Sequence, residues 1–224
     1  MAQFDIKSME GVHWVEVLLE NDDVRCEAGA MRYYQGNIQM ESKGPGGVGG
    51  FLKAAVSGES AFKPLYRGTG KLVLEPAFNG FMAIPLAGHH LILDRGAYVA
   101  SDGEIEVSAI ANKAGNALLS GEGMFQTSVK GTGTVIVAIP GPVQTIDLQN
   151  DRLVVDGSFA VARTATLNFS VQKSTKSVLG SMTSGEGLVN VIEGTGRVWL
   201  CPIPFKEVMY QQIFASLAAA RTSS

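Results

Sequence analysis

Histidine, cysteine and charge are scarce in this sequence, and each shortage closes off a class of function. Three histidines and two cysteines occur in 224 residues, and only 17% of the chain is charged. His13, His89 and His90 have none of the ligand spacing of a His-Glu-x-x-His helix. His89 and His90 follow Gly88 and read as part of a turn, and neighbouring residues on a strand would point to opposite faces, a poor arrangement for chelating one ion. Cys26 and Cys201 stand near opposite ends of the chain, which makes neither a metal knuckle nor a redox pair. Both read as small buried hydrophobes. The 18 basic residues are scattered among 21 acidic ones, without the Lys/Arg stripe that phosphate neutralisation needs. Nucleic-acid binding is therefore not expected.

Long apolar runs are also missing. No stretch of 18 uncharged apolar residues occurs, so no transmembrane helix is expected. Met1 to Gly11 contains Asp5 and Glu10, lacks an apolar core and is not Arg-rich, so it reads as neither a secretory signal nor a transit peptide. A cytoplasmic protein is the resulting expectation. No serine stands in a Gly-x-Ser-x-Gly elbow, and no glycine-rich loop ends in Lys-Ser/Thr. Gly44-Pro45-Gly46-Gly47-Val48-Gly49 formally fits G-x-G-x-x-G, but nothing around it reads as a βαβ unit and Pro45 lacks an N–H. It reads as a flexible loop. No catalytic residue, metal or cofactor is assigned.

What is present is apolar residues, glycine and repetition. Hydrophobic residues make up 46% of the chain, and a chain of this length buries roughly 70–75% of its unfolded surface. Sparse charge leaves neutral surface free for self-association. Three segments then line up. Ser57-Gly58-Glu59 leads to Gly68-Thr69-Gly70, Leu72-Val73-Leu74 and Pro76; Ser120-Gly121-Glu122 leads to Gly131-Thr132-Gly133, Val135-Ile136-Val137 and Pro140; Ser184-Gly185-Glu186 leads to Gly194-Thr195-Gly196, Val198-Trp199-Leu200 and Pro202. The Gly-Thr-Gly triplets begin at 68, 131 and 194, so both intervals are 63 residues. Three units are read at about 10–80, 81–142 and 143–204, within one domain spanning 1–224.

Short apolar segments ahead of each Ser-Gly-Glu read as one or two helical turns, capped by its glycine. Upstream, Leu167, Phe169 and Val171 alternate with polar residues, as do Ile105 and Val107, which predicts half-buried strands. Asp102-Gly103 and Asp156-Gly157 read as hairpin-type turns. Each unit should then close with a hairpin whose second strand follows Gly-Thr-Gly. Phe205, Val208, Met209, Ile213 and Leu217 fall on one helical face, predicting a C-terminal helix over 204–220. The fold class expected is mainly β, with three packed β-repeats forming a pseudo-threefold sandwich or barrel-like body.

In these motifs and their order, the chain resembles the "altered inheritance of mitochondria" family of the twenty-fourth type, whose bacterial members are domains of unknown function. The resemblance covers nearly the whole chain. It implies a fold similar to the tryptophan RNA-binding attenuation protein, with β-sandwich units in pseudo-threefold arrangement, and mitochondrial relatives linked to inner-membrane organisation. It carries over no catalytic residues.

Glu59, Glu122 and Glu186 could ring one edge and bind a cation or basic partner, as carboxylates held close shift one another's pKa. Their recurrence in every unit is explained more simply by a structural corner accepting backbone N–H groups. The functional expectation is a non-enzymatic scaffold acting as a homo-oligomer or on a protein partner. Binding of a small ligand or single-stranded RNA stands as the alternative, on fold analogy. A hydrolase would need a cleft where Glu59, Glu122 or Glu186 meets His89 or His90.

Overall fold

The computed structural model describes residues 1–41, 63–111, 125–156, 159–173 and 188–202. Among these the chain is all strand and turn, with no helix. The elements are β1 (Gln3–Met9), β2 (Val12–Cys26), β3 (Met31–Glu41), β4 (Leu65–Leu74), β5 (Gly80–Leu93), β6 (Tyr98–Asp102), β7 (Glu106–Ala111), β8 (Phe125–Ile139), β9 (Gln144–Asp156), β10 (Ala160–Thr164), β11 (Asn168–Lys173) and β12 (Leu188–Leu200). All pairings are antiparallel and join one open sheet in the order β11-β12-β10-β5-β8-β6-β2-β4-β3, with β1 on β2, β7 on β8 and β9 on β12.

The strand patterns show why the sheet bends where it does. On β2 the buried residues Val15, Val17 and Leu19 are odd-numbered, whereas further along they are Val24 and Cys26. One extra residue, Asn21, lies between the pairs Glu20↔Thr69 and Asp22↔Gly68. A one-residue bulge exchanges the two faces of a strand, which is the observed change of parity. On β5, Ile84 and Leu86 give way to Leu91 and Leu93 across Gly88. On β9, Leu148 gives way to Val155, with a register break opposite Thr195. Asn21, Gly88 and Asn150 all have positive φ, at 60°, 76° and 53°.

Each bulge faces a Gly-Thr-Gly triplet. The triplets lie inside β4, β8 and β12, not ahead of a hairpin's second strand as expected; each strand continues through its triplet. The reason is conformational: Gly68, Gly70, Gly131, Gly133 and Gly194 hold positive φ between 124° and 154°, which bends the strand without ending it. The Oγ1 of Thr69 accepts the Asn21 N–H, and that of Thr195 accepts the Asn150 N–H, both at 3.0 Å. The hydroxyl thereby satisfies a donor that the bulge withdraws from the ladder.

The Asp102-Gly103 turn is real, with Ile105 N–H bonded to the Asp102 carbonyl. It does not make a hairpin, because β6 and β7 both pair with β8 and not with each other. His89 and His90 sit within β5 just past the bulge, so the expected turn there is a one-residue interruption of a strand. The Ser-Gly-Glu segments, the short helical segments, the Gly44–Gly49 loop and the helix expected over 204–220 lie outside the described residues.

The core of the described residues falls into three clusters. One gathers Val15, Val17, Leu19, Leu72 and Leu74 and takes in Ala100 and Ile136 from further along the chain. The next gathers Ile84, Leu86, Leu91, Val135 and Val137 and takes in Val161, Ala162 and Cys201. The third is smaller: Leu148, Val155, Leu167, Ile192 and Val198. Burial of each such aliphatic side chain contributes about 1.5–3 kcal/mol.

The two first glycines of the triplets give a controlled test. Gly68 and Gly131 have matching φ, 140° and 136°, but a Cβ on Gly68 would lie 2.0 Å from the Asn37 carbonyl oxygen, whereas on Gly131 the nearest atom is at 3.6 Å. Both alanine variants carry the same backbone strain; only Gly68→Ala adds a collision with main chain. Urea denaturation should show Gly68→Ala less stable than Gly131→Ala by about 1–3 kcal/mol. Equal losses would mean the close approach contributes nothing.

Candidate functional site

The polar chemistry of the described residues gathers where one set of strands meets the next. At the β2–β6 junction Val24, Arg25 and Cys26 pair with Asp102, Ser101 and Ala100. Tyr98, buried on β6, donates its phenol O–H to the Arg25 carbonyl at 3.0 Å and lies 3.0 Å from the Ser101 hydroxyl. Burial pushes its phenol pKa far up, so it stays a neutral donor. Arg25 reaches the carbonyls of Lys63 and Gly103. Lys63 pairs with Glu27, its ammonium 5.0 Å from the centre of the Tyr98 ring.

Asp102 is the pivot of this junction. It is buried, and its two carboxylate oxygens accept the N–H groups of Ala2 at 2.8 Å and Thr134 at 2.7 Å. Gly133 has no Cβ because that atom would stand 2.8 Å from the same carboxylate. Thr164 holds the matching place on β10: its hydroxyl accepts the Arg197 N–H at 3.0 Å, and a Cβ on Gly196 would stand 2.1 Å from that oxygen. The third glycine of each of these triplets therefore leaves room for a polar side chain that binds the following N–H.

At the β5–β10 junction Leu91, Ile92 and Leu93 pair with Thr164, Arg163 and Ala162. Arg163 is buried, its guanidinium 4.5 Å from the Phe169 ring, with an Nε that has no hydrogen-bond partner among the described residues. Burial lowers its pKa to about 10, opposed by Asp94.

Two of the surface grooves among the described residues flank these junctions with apolar walls. One, of about 760 Å³, is walled by Val12, Phe78, Phe81 and Val99, with Glu27 and Glu75 at its edge. Those carboxylates are paired with Lys63 and Arg32. The other, of about 520 Å³, is lined by Pro85, Leu86, Trp199 and His89 and by the Asp147–Arg197 ion pair. The Arg197 guanidinium holds the Asp147 carboxyl below its usual range, as Arg67 does for Asp23. Both carboxylates thus serve ion pairs on neighbouring strands.

His90 Nε2 lies 2.8 Å from the Ser128 hydroxyl across β5 and β8. Among the described residues no hydrogen bond joins a carboxylate to the other ring nitrogen. Cys26 and Cys201 are buried free thiols, as expected, and burial pushes the Cys26 thiol far up. Gly68, Thr69, Gly70, Gly131, Thr132, Gly133, Gly194, Thr195 and Gly196 serve the strand crossings described above. The nine Ser-Gly-Glu residues lie outside the described residues. Asp102 was legible only as a turn residue and Arg163 carried no signal, since neither shows its burial in local pattern.

Residues 4–203 match the family described as mitochondrial biogenesis AIM24. The chain belongs to that family. A relative within reach of this AIM24 chain, an uncharacterised protein of Streptococcus pyogenes serotype M6, is 29% identical over 198 residues, covering 83% of this chain and 79% of its own. A crystal structure of a Streptococcus pyogenes protein aligns with a TM-score of 0.74 at 26% identity, over 98% of this chain and 100% of that one. The strand architecture above is thus shared with a solved protein. In this AIM24 member no described helix is long and apolar enough to cross a membrane.

Two measurements check this account. Asp102→Ala strands the buried N–H groups of Ala2 and Thr134 and should cost about 2–5 kcal/mol in urea denaturation; a loss below 1 kcal/mol would show, on the same scale, that water replaces the carboxylate freely. A thiol reagent at mildly alkaline pH should leave Cys26 and Cys201 unmodified in the folded protein and label both in urea. Rapid labelling of Cys26 in the folded state would contradict its burial.

Proposed function

We propose that this protein is a non-enzymatic assembly module that acts by associating with further copies or with a protein partner. The observation carrying the reading is the open sheet: β3 and β9 each pair on one side only among the described residues, and large apolar side chains (Tyr33, Tyr34 and Val154) stand exposed along them. An unpaired strand edge bearing exposed apolar groups is a template for strand addition, which soluble proteins otherwise blunt with charge or proline.

Part of the same reading is that the chain contains three like units. Its support is the regular placing of triplet, bulge and register break: β3 slips on β4 between Met31 and Tyr33, β6 on β8 between Tyr98 and Ala100, and β10 on β12 between Ala160 and Ala162. The partner residues Val73, Ile136 and Trp199 are spaced by 63. Units of this size bury little alone, so joining their edges is the means by which they share cores.

Size-exclusion chromatography with light scattering should return a mass of two or more chains at micromolar concentration. A strictly monomeric mass across that range would overturn the proposal.

A further inference from the structure

We infer that copies of this protein join head to tail, the β9 edge of one docking on the β3 edge of the next in the register of the two junctions already inside the chain. The inference rests on the assembly reading above and names its surfaces.

The internal junctions share one plan. In the first, the stretch after the bulge of β2, Val24–Cys26, lies between β4 and β6, with Arg25 opposite Ser101 and Cys26 opposite Ala100. In the second, Leu91–Leu93 of β5 lies between β8 and β10, with Ile92 opposite Arg163 and Leu93 opposite Ala162. Leu153–Val155 holds the same position on β9, facing Ile192, Val191 and Asn190 of β12. No strand of the described residues pairs with its other side. The free counterpart is on β3: Tyr33 and Tyr34 face Val73 and Leu72, as Ala100 and Ser101 face Ile136 and Val135.

Exposure separates the formed junctions from the unformed one. Ala100 and Ser101 are 0% exposed, and Ala162 is 1% exposed; Tyr33 and Tyr34 are 53% and 45% exposed, and Val154 is 47% exposed where Ile92 is 6% exposed. The hydrophobic clusters agree. Among the described residues, the first two each take in residues from the unit that follows, whereas the third, under β9, gathers only residues of its own unit. β3 and β9 lie toward opposite ends of the open sheet formed by the described residues and do not pair with each other; on this inference the strand that completes β9 comes from a second copy. The register carried over puts Val154 opposite Tyr34 and Val155 opposite Tyr33. Because the two edges differ, the contact is heterologous and repeats into a ring or filament.

Antiparallel partners stand about 4.5–5.5 Å apart at Cα, within disulfide range. Tyr34→Cys and Val154→Cys proteins, mixed and oxidised, should give a disulfide-linked dimer that neither forms alone; the native thiols are buried and stay out of the reaction. Like charges opposite one another oppose strand pairing, so a protein carrying both Tyr34→Lys and Val154→Lys should associate at least tenfold more weakly by light scattering. Changing the first of these to Tyr34→Glu should restore association. An assembly that persists with neither the mixed disulfide nor the charge effect would overturn this interface and leave the assembly reading standing. If the double-cysteine chain closes on itself as a monomer at dilution, the edges meet within one chain and the inference fails. A wild-type protein that is monomeric throughout removes both proposals.

Discussion

Everything in this sheet depends on a crossing in which a strand bulge meets a glycine-flanked threonine. A bulge adds one residue to a strand and leaves an N–H without a ladder partner. Asn21 and Asn150 place that donor on the hydroxyls of Thr69 and Thr195. The flanking glycines allow the opposing backbone to come closer than a Cβ permits, as at Gly68 against Asn37 and Gly70 against Gln35. The extra residue switches which face of β2, β5 and β9 is buried. Each of these strands therefore contributes to the core with its first half in one phase and its second half in the other. Remove the bulge and one half would turn its apolar side chains to water.

The junctions between strand sets exploit the second halves. Val24–Cys26 and Leu91–Leu93 are flanked on both sides, and the polar groups that this encloses are answered individually: Tyr98 by the Arg25 carbonyl, Thr134 by Asp102, Arg197 by Thr164. Leaving such groups unanswered would cost about 1–3 kcal/mol each. Arg163 is the exception in kind, a buried cation resting on Phe169 whose Nε has no hydrogen-bond partner among the described residues. Several surface charges, Asp23 with Arg67 and Asp147 with Arg197 among them, sit in ion pairs across neighbouring strands, an arrangement that contributes little to stability but keeps exposed strands polar.

Membership of the AIM24 family and the likeness to a streptococcal crystal structure place this architecture among relatives. Neither names a reaction. On the assembly reading proposed above, a sheet joined internally by edge pairing, whose described residues end in edges of the same kind, has a physical reason to associate irrespective of any ligand. The apolar groove beside Phe78 and Phe81 and the groove beside Trp199 are features of the same junctions.

The 63-residue spacing of Gly-Thr-Gly, the β class and the burial of both cysteines were legible in the sequence because each is written in local composition. Alternation around Phe169 and Val171 marked β11 for the same reason. The place of the triplets inside strands was not legible: glycine and threonine in a row carry the signature of a turn, and only the strand lying opposite reveals a bend in a continuous ladder. Nor could pattern reveal that Asp102 would be buried, since an aspartate before a glycine reads as an exposed corner until Ala2 and Thr134 are brought to it from 100 and 32 residues away. Sequence alone determined that Gly-Thr-Gly recurs at a 63-residue interval in a strand-rich chain, because periodicity is a property of order along the chain. Which edges find partners and which stay open was decided only in three dimensions, because edge pairing joins residues whose separation in sequence encodes nothing about their meeting.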